Sequence, residues 1–463
     1  MLTTTQLKEY AQLAQASYAA FTTGYGDDPV MDQLKKPYNE AASFSEIEAK
    51  QLTAKYSVVD QFKSSLLDSG FSATVLSDKA NPNHLILSFR GTEPKGLQLL
   101  NDLIISDVQI GIVGYAKPQA LDLYRYIRQL QTVGQQKVVY SEIEMQRMYL
   151  LDKGPNILPP TPSGLLFDLI TDKVAYSTFK ASLQNDRGIG ASGAAAILSP
   201  GKTIDVTGHS LGGHLAMLAQ RLFPDLVTGT AVTYNAVGFY AGPLAFDGSP
   251  VQKKADWILD QFGANDFSNN VLRVESEGDG ISKIASVYPG QTLSVGMETY
   301  PGVADAIGKN HSVANIADGM ALVEFIGKLD SRYMADPRLA KDLFKMGSNQ
   351  PVSSYEKILD GLRNMLSGPI TAPTANDSDK KGEYGTSRDS FYTNLQQLAY
   401  KDNIGTLNAS MAALAGKLQI TATTANAESA KSDFGQFLSL YYLTPFTVST
   451  PDAGSQAKLL LTQ

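Results

Sequence analysis

The chain has 463 residues, 43% of them hydrophobic and 18% charged, with a net charge of −7 and a pI near 5.3. That length can bury one large core plus a second region, or two or three domains, while the acidic balance without a lysine- or arginine-rich run excludes a nucleic-acid partner. There is no cysteine, which excludes disulfides, thiolate metal sites and thiol catalysis, and suits export by a route without oxidative folding.

Residues 3–21 read as an amphipathic helix, with Leu7, Tyr10, Ala11, Ala14, Tyr18 and Phe21 on one face. Thr3 and Gln6 have the spacing of a capping box. Lys8 and Glu9 stand where a signal peptide would need an apolar stretch, and no uncharged apolar run of membrane-spanning length occurs anywhere. A polar section leads to a second expected helix at 45–54. Residues 71–76 and 84–89 then read as a hairpin across the turn Lys79-Ala80-Asn81-Pro82-Asn83. The second strand runs into Arg90-Gly91-Thr92, where the glycine permits a close turn and Thr92 offers an N–H and a hydroxyl. Taken alone, these three residues need do no more than end a strand.

A helix is expected at 117–130, followed by an insertion at about 132–202. It holds Tyr149-Leu150-Leu151, Pro159-Pro160, the apolar run 164–170 and a small-residue tract at 188–196. Two readings stand: a movable cap over an apolar crevice, or a surface elaboration with a small core of its own.

Residues 203–216 then switch from strand to helix. Ile204 and Val206 favour extended backbone, and Leu211, Leu215, Leu218 and Leu222 have helical spacing. Between them lies Gly208-His209-Ser210-Leu211-Gly212. G-x-S-x-G is a weak signal by itself, but a strand-turn-helix around it is the setting of a nucleophile elbow, which stands the serine hydroxyl out alone. The glycines avoid a clash with neighbouring backbone, and the Leu211 N–H, in the first helical turn, can donate to a developing oxyanion. Further strands are expected at 227–235 and 271–276, in an alternation that implies an α/β fold with a mostly parallel sheet.

A serine nucleophile needs a base, and there are only four histidines. His84 opens a strand at the end away from Thr92, His209 would point away from Ser210, and His214 turns back into helix packing. His311 remains, ahead of a helix at 314–329, and its place after the serine suits the order Ser, acid, His. For the acid, Asp279 is preferred because it follows a strand end in a glycine turn, with Glu277 and Asp266 as fallbacks.

Phe89-Arg90-Gly91-Thr92, Asn101-Asp102-Leu103 with Asp107, and Gly208-His209-Ser210-Leu211-Gly212-Gly213 together resemble the class 3 lipase family, bacterial type, over about residues 7–329. The resemblance implies an α/β-hydrolase fold and a triacylglycerol lipase or phospholipase A1. It also implies Thr92 as an oxyanion donor and an acid at the position of Asp279. The insertion is a departure, since short lipases of this kind have a brief loop there.

The expected organisation is a hydrolase domain at 1–330 and a mostly helical region at 331–463. Helices are expected at 336–344, 354–366, 391–400 and 407–418, with a linker-like stretch at about 367–388. Residues 434–443 and Leu459-Leu460-Leu461 are apolar enough to dock on a core. The function expected is a serine carboxylic-ester hydrolase acting on lipid or a lipid–water interface through Ser210, Asp279 and His311, with Thr92 and Leu211 at the oxyanion. The alternatives are a silent hydrolase-fold binding protein and a small-ester esterase or peptidase on the same triad. The chemistry needs no cofactor; structural calcium, any metal site and a protein partner are left open by the residues. Secretion without an N-terminal signal peptide is expected, with a cytoplasmic location as the alternative.

Overall fold

A computed structural model describes residues 2–22, 24–36, 42–63, 69–91, 114–154, 173–241, 250–263, 270–283, 285–299, 308, 310–347, 354–375, 384–422 and 427–450. Thr92, Asn101, Asp102, Leu103, Asp107, Asp266, the run at 164–170 and Leu459 to Leu461 lie outside the described residues. Contacts divide the chain into two compact units. One comprises 1–57, 274–281 and 293–463; the other comprises 58–273 and 282–292. The cuts therefore do not fall near residue 330.

The first unit opens with α1 (Thr4–Ala16), α2 (Asp27–Lys35) and α3 (Glu46–Lys55). The box at Thr3 and Gln6 closes as expected, and a second one forms between Ser45 and Glu48. Each satisfies backbone N–H groups that a helix start would leave without partners.

The main sheet has seven strands: β1 (Tyr56–Lys63), β2 (Ser72–Asp78), β3 (His84–Phe89), β4 (Thr203–His209), β5 (Ala231–Tyr234), β7 (Val271–Ser276) and β9 (Gln291–Val295), of which β2 to β5 lie wholly in the second unit. Their order is β1-β2-β3-β4-β5-β7-β9. β2 and β3 form the expected antiparallel hairpin, whereas β3, β4 and β5 run parallel, so the sheet is mixed. The parallel core strands β3 and β4 are buried at every position but the first. Strands covered on both faces read as near-continuous apolar runs, which is why Leu85-Ile86-Leu87 lacks polar alternation. β6 (Phe239–Ala241) and β8 (Ala285–Val287) pair separately.

The helices of this unit are α4 (Lys117–Leu130), α5 (Glu142–Lys153), α6 (Lys173–Ser182), α7 (Leu211–Leu222) and α8 (Pro250–Asp260). α5 and α6 fall in the insertion, where Tyr149 meets Tyr176 and Phe179 edge-on, with ring centroids 5.2 and 5.4 Å apart. The insertion thus carries a small aromatic core of its own.

The rest of the first unit is mostly helical: α9 (Val313–Leu329), α10 (Ser331–Ala335), α11 (Ala340–Gly347), α12 (Ser354–Ser367), α13 (Tyr384–Ala399), α14 (Ala409–Leu414) and α15 (Phe434–Tyr442). The helix expected at 336–344 is broken because Asp336 caps a tight turn that starts at Pro337. α13 starts seven residues earlier than expected, inside the linker-like stretch, and its first turns hold Arg388. That guanidinium pairs with Glu48 on α3 (2.8 Å) and Asp318 on α9 (2.6 Å). Residues after Asp330 therefore pack with α1, α3 and α9 as one body; Thr4 Oγ1 also donates to the Tyr333 carbonyl at 2.6 Å. Where a helix to residue 418 was expected, α14 stops at Leu414, and β10 (Gln419–Ala422) pairs antiparallel with β11 (Phe446–Ser449). Among the described residues no helix is long and apolar enough to cross a membrane.

Candidate active site

The expected site residues lie in different units, Ser210 and Leu211 in the second, Asp279 and His311 in the first. In the second unit, β4 ends at His209 and α7 begins at Leu211, leaving Ser210 alone to make the turn. Its backbone sits at φ 58° and ψ −127°, a left-handed conformation that L side chains seldom adopt. It persists because the surroundings determine it. Ser210 N donates to the Tyr234 carbonyl at 3.0 Å, and its own carbonyl accepts from Gly213 N (3.0 Å) and Val237 N (3.3 Å).

The flanking glycines are a steric requirement. A Cβ at Gly208 would lie 2.2 Å from the Gly212 oxygen, and one at Gly212 would lie 2.1 Å from the Phe89 oxygen. The second contact shows why β3 matters here: the register sets Phe89 beside Gly208, so Arg90-Gly91 leave the sheet next to the elbow. Thr92, the expected second oxyanion donor, comes next and lies outside the described residues. Leu211 occupies the first position of α7, where the helix supplies no carbonyl for its N–H.

In the other unit, Asp279 follows the turn Glu277-Gly278 at the end of β7, and His311 lies two residues before α9. Both side chains are buried, and His311 Nδ1 is 2.9 Å from Asp279 Oδ1. An ionised carboxylate can only accept, so Nδ1 carries the proton of this bond and Nε2 is the basic nitrogen. Asp279 Oδ1 also accepts from Ile281 N at 3.1 Å, which fixes the carboxylate on its own turn. Glu277, a fallback acid, pairs instead with Lys341 at the surface.

Two residues that the sequence reading did not single out tie these turns together. Ser276 Oγ donates to the Asn310 carbonyl at 2.9 Å, and Asn310 Nδ2 donates to the Gly278 carbonyl at 3.4 Å. A bond between positions 34 apart in the chain leaves no local signal.

The remaining histidines are engaged elsewhere. His84 Nε2 is 2.7 Å from Asp205 Oδ2. His209 is buried within β4, in register with Tyr234. His214 is fully buried, and its Nε2 accepts from Ala116 N at 3.2 Å, so Nδ1 carries the hydrogen toward the Gly238 carbonyl, also 3.2 Å away. Burial pushes it down to about 4, which keeps it neutral. Among the described residues no group of three or more acidic or histidine side chains could hold a metal ion.

No family model matches the chain, and no curated protein sequence does. Among solved structures it is similar to Lip2 lipase from Yarrowia lipolytica, at 13% identity over 65% of this chain and 82% of that one, with a TM-score of 0.29. A lipase from Rhizopus microsporus var. chinensis matches at 13% identity over 67% and 85%, with a TM-score of 0.29. M37 lipase matches at 15% identity over 68% and 94%, again with a TM-score of 0.29. At values this low, no residue role is carried across from them.

Proposed function

We propose that the protein is a serine carboxylic-ester hydrolase. Ser210 attacks the ester carbonyl, His311 Nε2 takes its proton, and Asp279 holds the imidazole in that tautomer and stabilises the imidazolium. The Leu211 N–H and Thr92 receive the oxyanion, each donor worth about a hundred- to a thousandfold in rate. The alcohol leaves with the proton from His311, and water, activated by the same imidazole, then cleaves the acyl-enzyme.

The observation that carries this reading is the backbone of Ser210. A non-glycine residue at φ 58°, flanked by glycines whose Cβ atoms would collide with backbone, is costly for a mere link between strand and helix. It is what a nucleophile elbow requires. The buried Asp279–His311 bond supplies a base of the right chemistry.

Within the ester hydrolases, the joint motifs favour lipid esters, a triacylglycerol lipase or phospholipase A1 of the class 3 type. A fluorophosphonate probe is expected to label the wild type and not Ser210→Ala, and that variant should lose on the order of a millionfold in kcat. Turnover within tenfold of wild type would rule Ser210 out as nucleophile. A panel of triacylglycerols and mixed-chain phospholipids, with the position of the released acid determined, tests the substrate class. Activity that falls steadily as the acyl chain lengthens would move the assignment to a small-ester esterase.

A further inference from the structure

We propose that Ser276 is a positioning residue for the base: its hydroxyl aims the His311 imidazole at Asp279 by holding the peptide that joins Asn310 to His311. The inference rests on reading His311 as the base, but the geometry is independent of which ester is cleaved.

Asp279 and His311 come from turns 32 residues apart, and a hydrogen bond between their side chains fixes a distance without by itself fixing the plane of the imidazole. The structure adds a second link beside it. Ser276, the last residue of β7, donates from Oγ to the Asn310 carbonyl at 2.9 Å, with both residues buried. That carbonyl belongs to the same planar unit as the His311 N–H, so gripping it sets the plane from which His311 Cα and Cβ depart. Asn310 in turn reaches back from Nδ2 to the Gly278 carbonyl at 3.4 Å, one residue before the acid. Gly278 itself stands at φ +84°, and a Cβ there would come within 3.2 Å of Thr299 Cγ2 and 3.4 Å of Asn310 Nδ2. The acid turn and the base turn are thus joined by two bonds to backbone carbonyls besides the Asp279–His311 bond. Near-attack geometry tolerates little error, and a displacement of about 1 Å costs up to about a hundredfold in rate.

A hydroxyl that merely satisfied a buried carbonyl would affect stability and leave turnover per folded molecule unchanged. A positioning hydroxyl predicts a different pattern. Ser276→Ala should lower kcat about 10- to 100-fold with KM within about twofold of wild type, and Ser276→Thr, which restores the donor, should recover most of the loss. If Ser276→Ala does not fold, Ser276→Cys keeps the size with a weaker donor and should fall between wild type and that range.

The second readout needs no turnover. With only four histidines, ¹⁵N-histidine labelling resolves the Nδ1–H signal of His311, assigned by its loss in His311→Gln. That signal should be sharp in the wild type and exchange-broadened in Ser276→Ala or Ser276→Cys. An unchanged signal together with kcat within twofold of wild type in a folded variant would overturn the proposal, as would a change confined to KM. If the wild type cleaves no ester, the hydrolase reading falls by itself, and the proton signal still decides whether Ser276 holds the imidazole.

Discussion

The elbow that carries Ser210 and the paired turns that carry Asp279 and His311 are held by different forces. At the elbow, backbone meets backbone: Gly208 against Gly212, Gly212 against Phe89, and a left-handed serine held by carbonyls and N–H groups of its neighbours. At the turns, side chains hold the geometry: Asp279 to His311, Ser276 to the Asn310 carbonyl, Asn310 to the Gly278 carbonyl. The same contrast extends outward. Around the elbow the buried histidine at 214 is neutral and bonded to backbone on both sides. In the other unit, buried ion pairs hold helices together, with Arg388 between Glu48 and Asp318. Close backbone approach tolerates no added atom, whereas side-chain bonds tolerate conservative exchange but not loss of charge or donor.

The contrast can be broken from either side, and the largest effect is expected at the elbow. Gly212→Ala drives a Cβ into the Phe89 oxygen at 2.1 Å, which neither strand nor helix can yield to cheaply. It should cost more than about 4 kcal/mol, read as loss of folded soluble protein or a collapse of the denaturation midpoint. A variant with wild-type stability would show that the approach is not tight.

Next in size is Arg388→Met, which leaves the buried Glu48 and the half-buried Asp318 near each other without the guanidinium. A loss of about 3–5 kcal/mol at neutral pH is expected from urea unfolding. Burial already pushes the Glu48 carboxyl above its usual range, against the pull of Arg388. Its protonation should therefore make the variant's deficit shrink as pH is lowered; a deficit that grows instead would argue against the buried pair. For Arg388 itself, burial pulls the guanidinium down, and Asp318 and Glu48 outweigh it, so it stays charged.

The smallest effect sharpens the elbow side. His214 titrates near 6.5 when unfolded and about 4 in place, so it is the unfolded chain that takes up the proton first. Its contribution is fully present above pH 6.5 and lost as pH falls from there toward 4, by about 3 kcal/mol. His214→Gln should flatten the stability profile in that window. An unaltered slope would place the acid sensitivity on other groups.

Much of the molecule was legible from local pattern. The cap at Thr3 formed as spaced, because a capping box is complete within four residues. The hairpin of β2 and β3 and the strand-turn-helix at Ser210 followed from periodicity and from glycines whose steric need is local. Where tertiary contacts overrode pattern, the reading missed. α13 begins inside a polar, glycine-containing stretch because Arg388 is anchored by Glu48 and Asp318. β10 exists because β11, some twenty-five residues later, pairs with it.

The sequence alone thus determined the strand-turn-helix at Ser210, since residues 208 to 212 carry their own steric argument, and it narrowed the candidate base to one histidine by elimination. Only the tertiary structure decided that Asp279, and not the surface-paired Glu277, meets the imidazole, and that Ser276 grips the peptide beside it. The physical reason is range. Backbone sterics and helical or strand periodicity act over a few residues and leave their mark there, but a hydrogen bond between turns 32 residues apart depends on how everything between them folds.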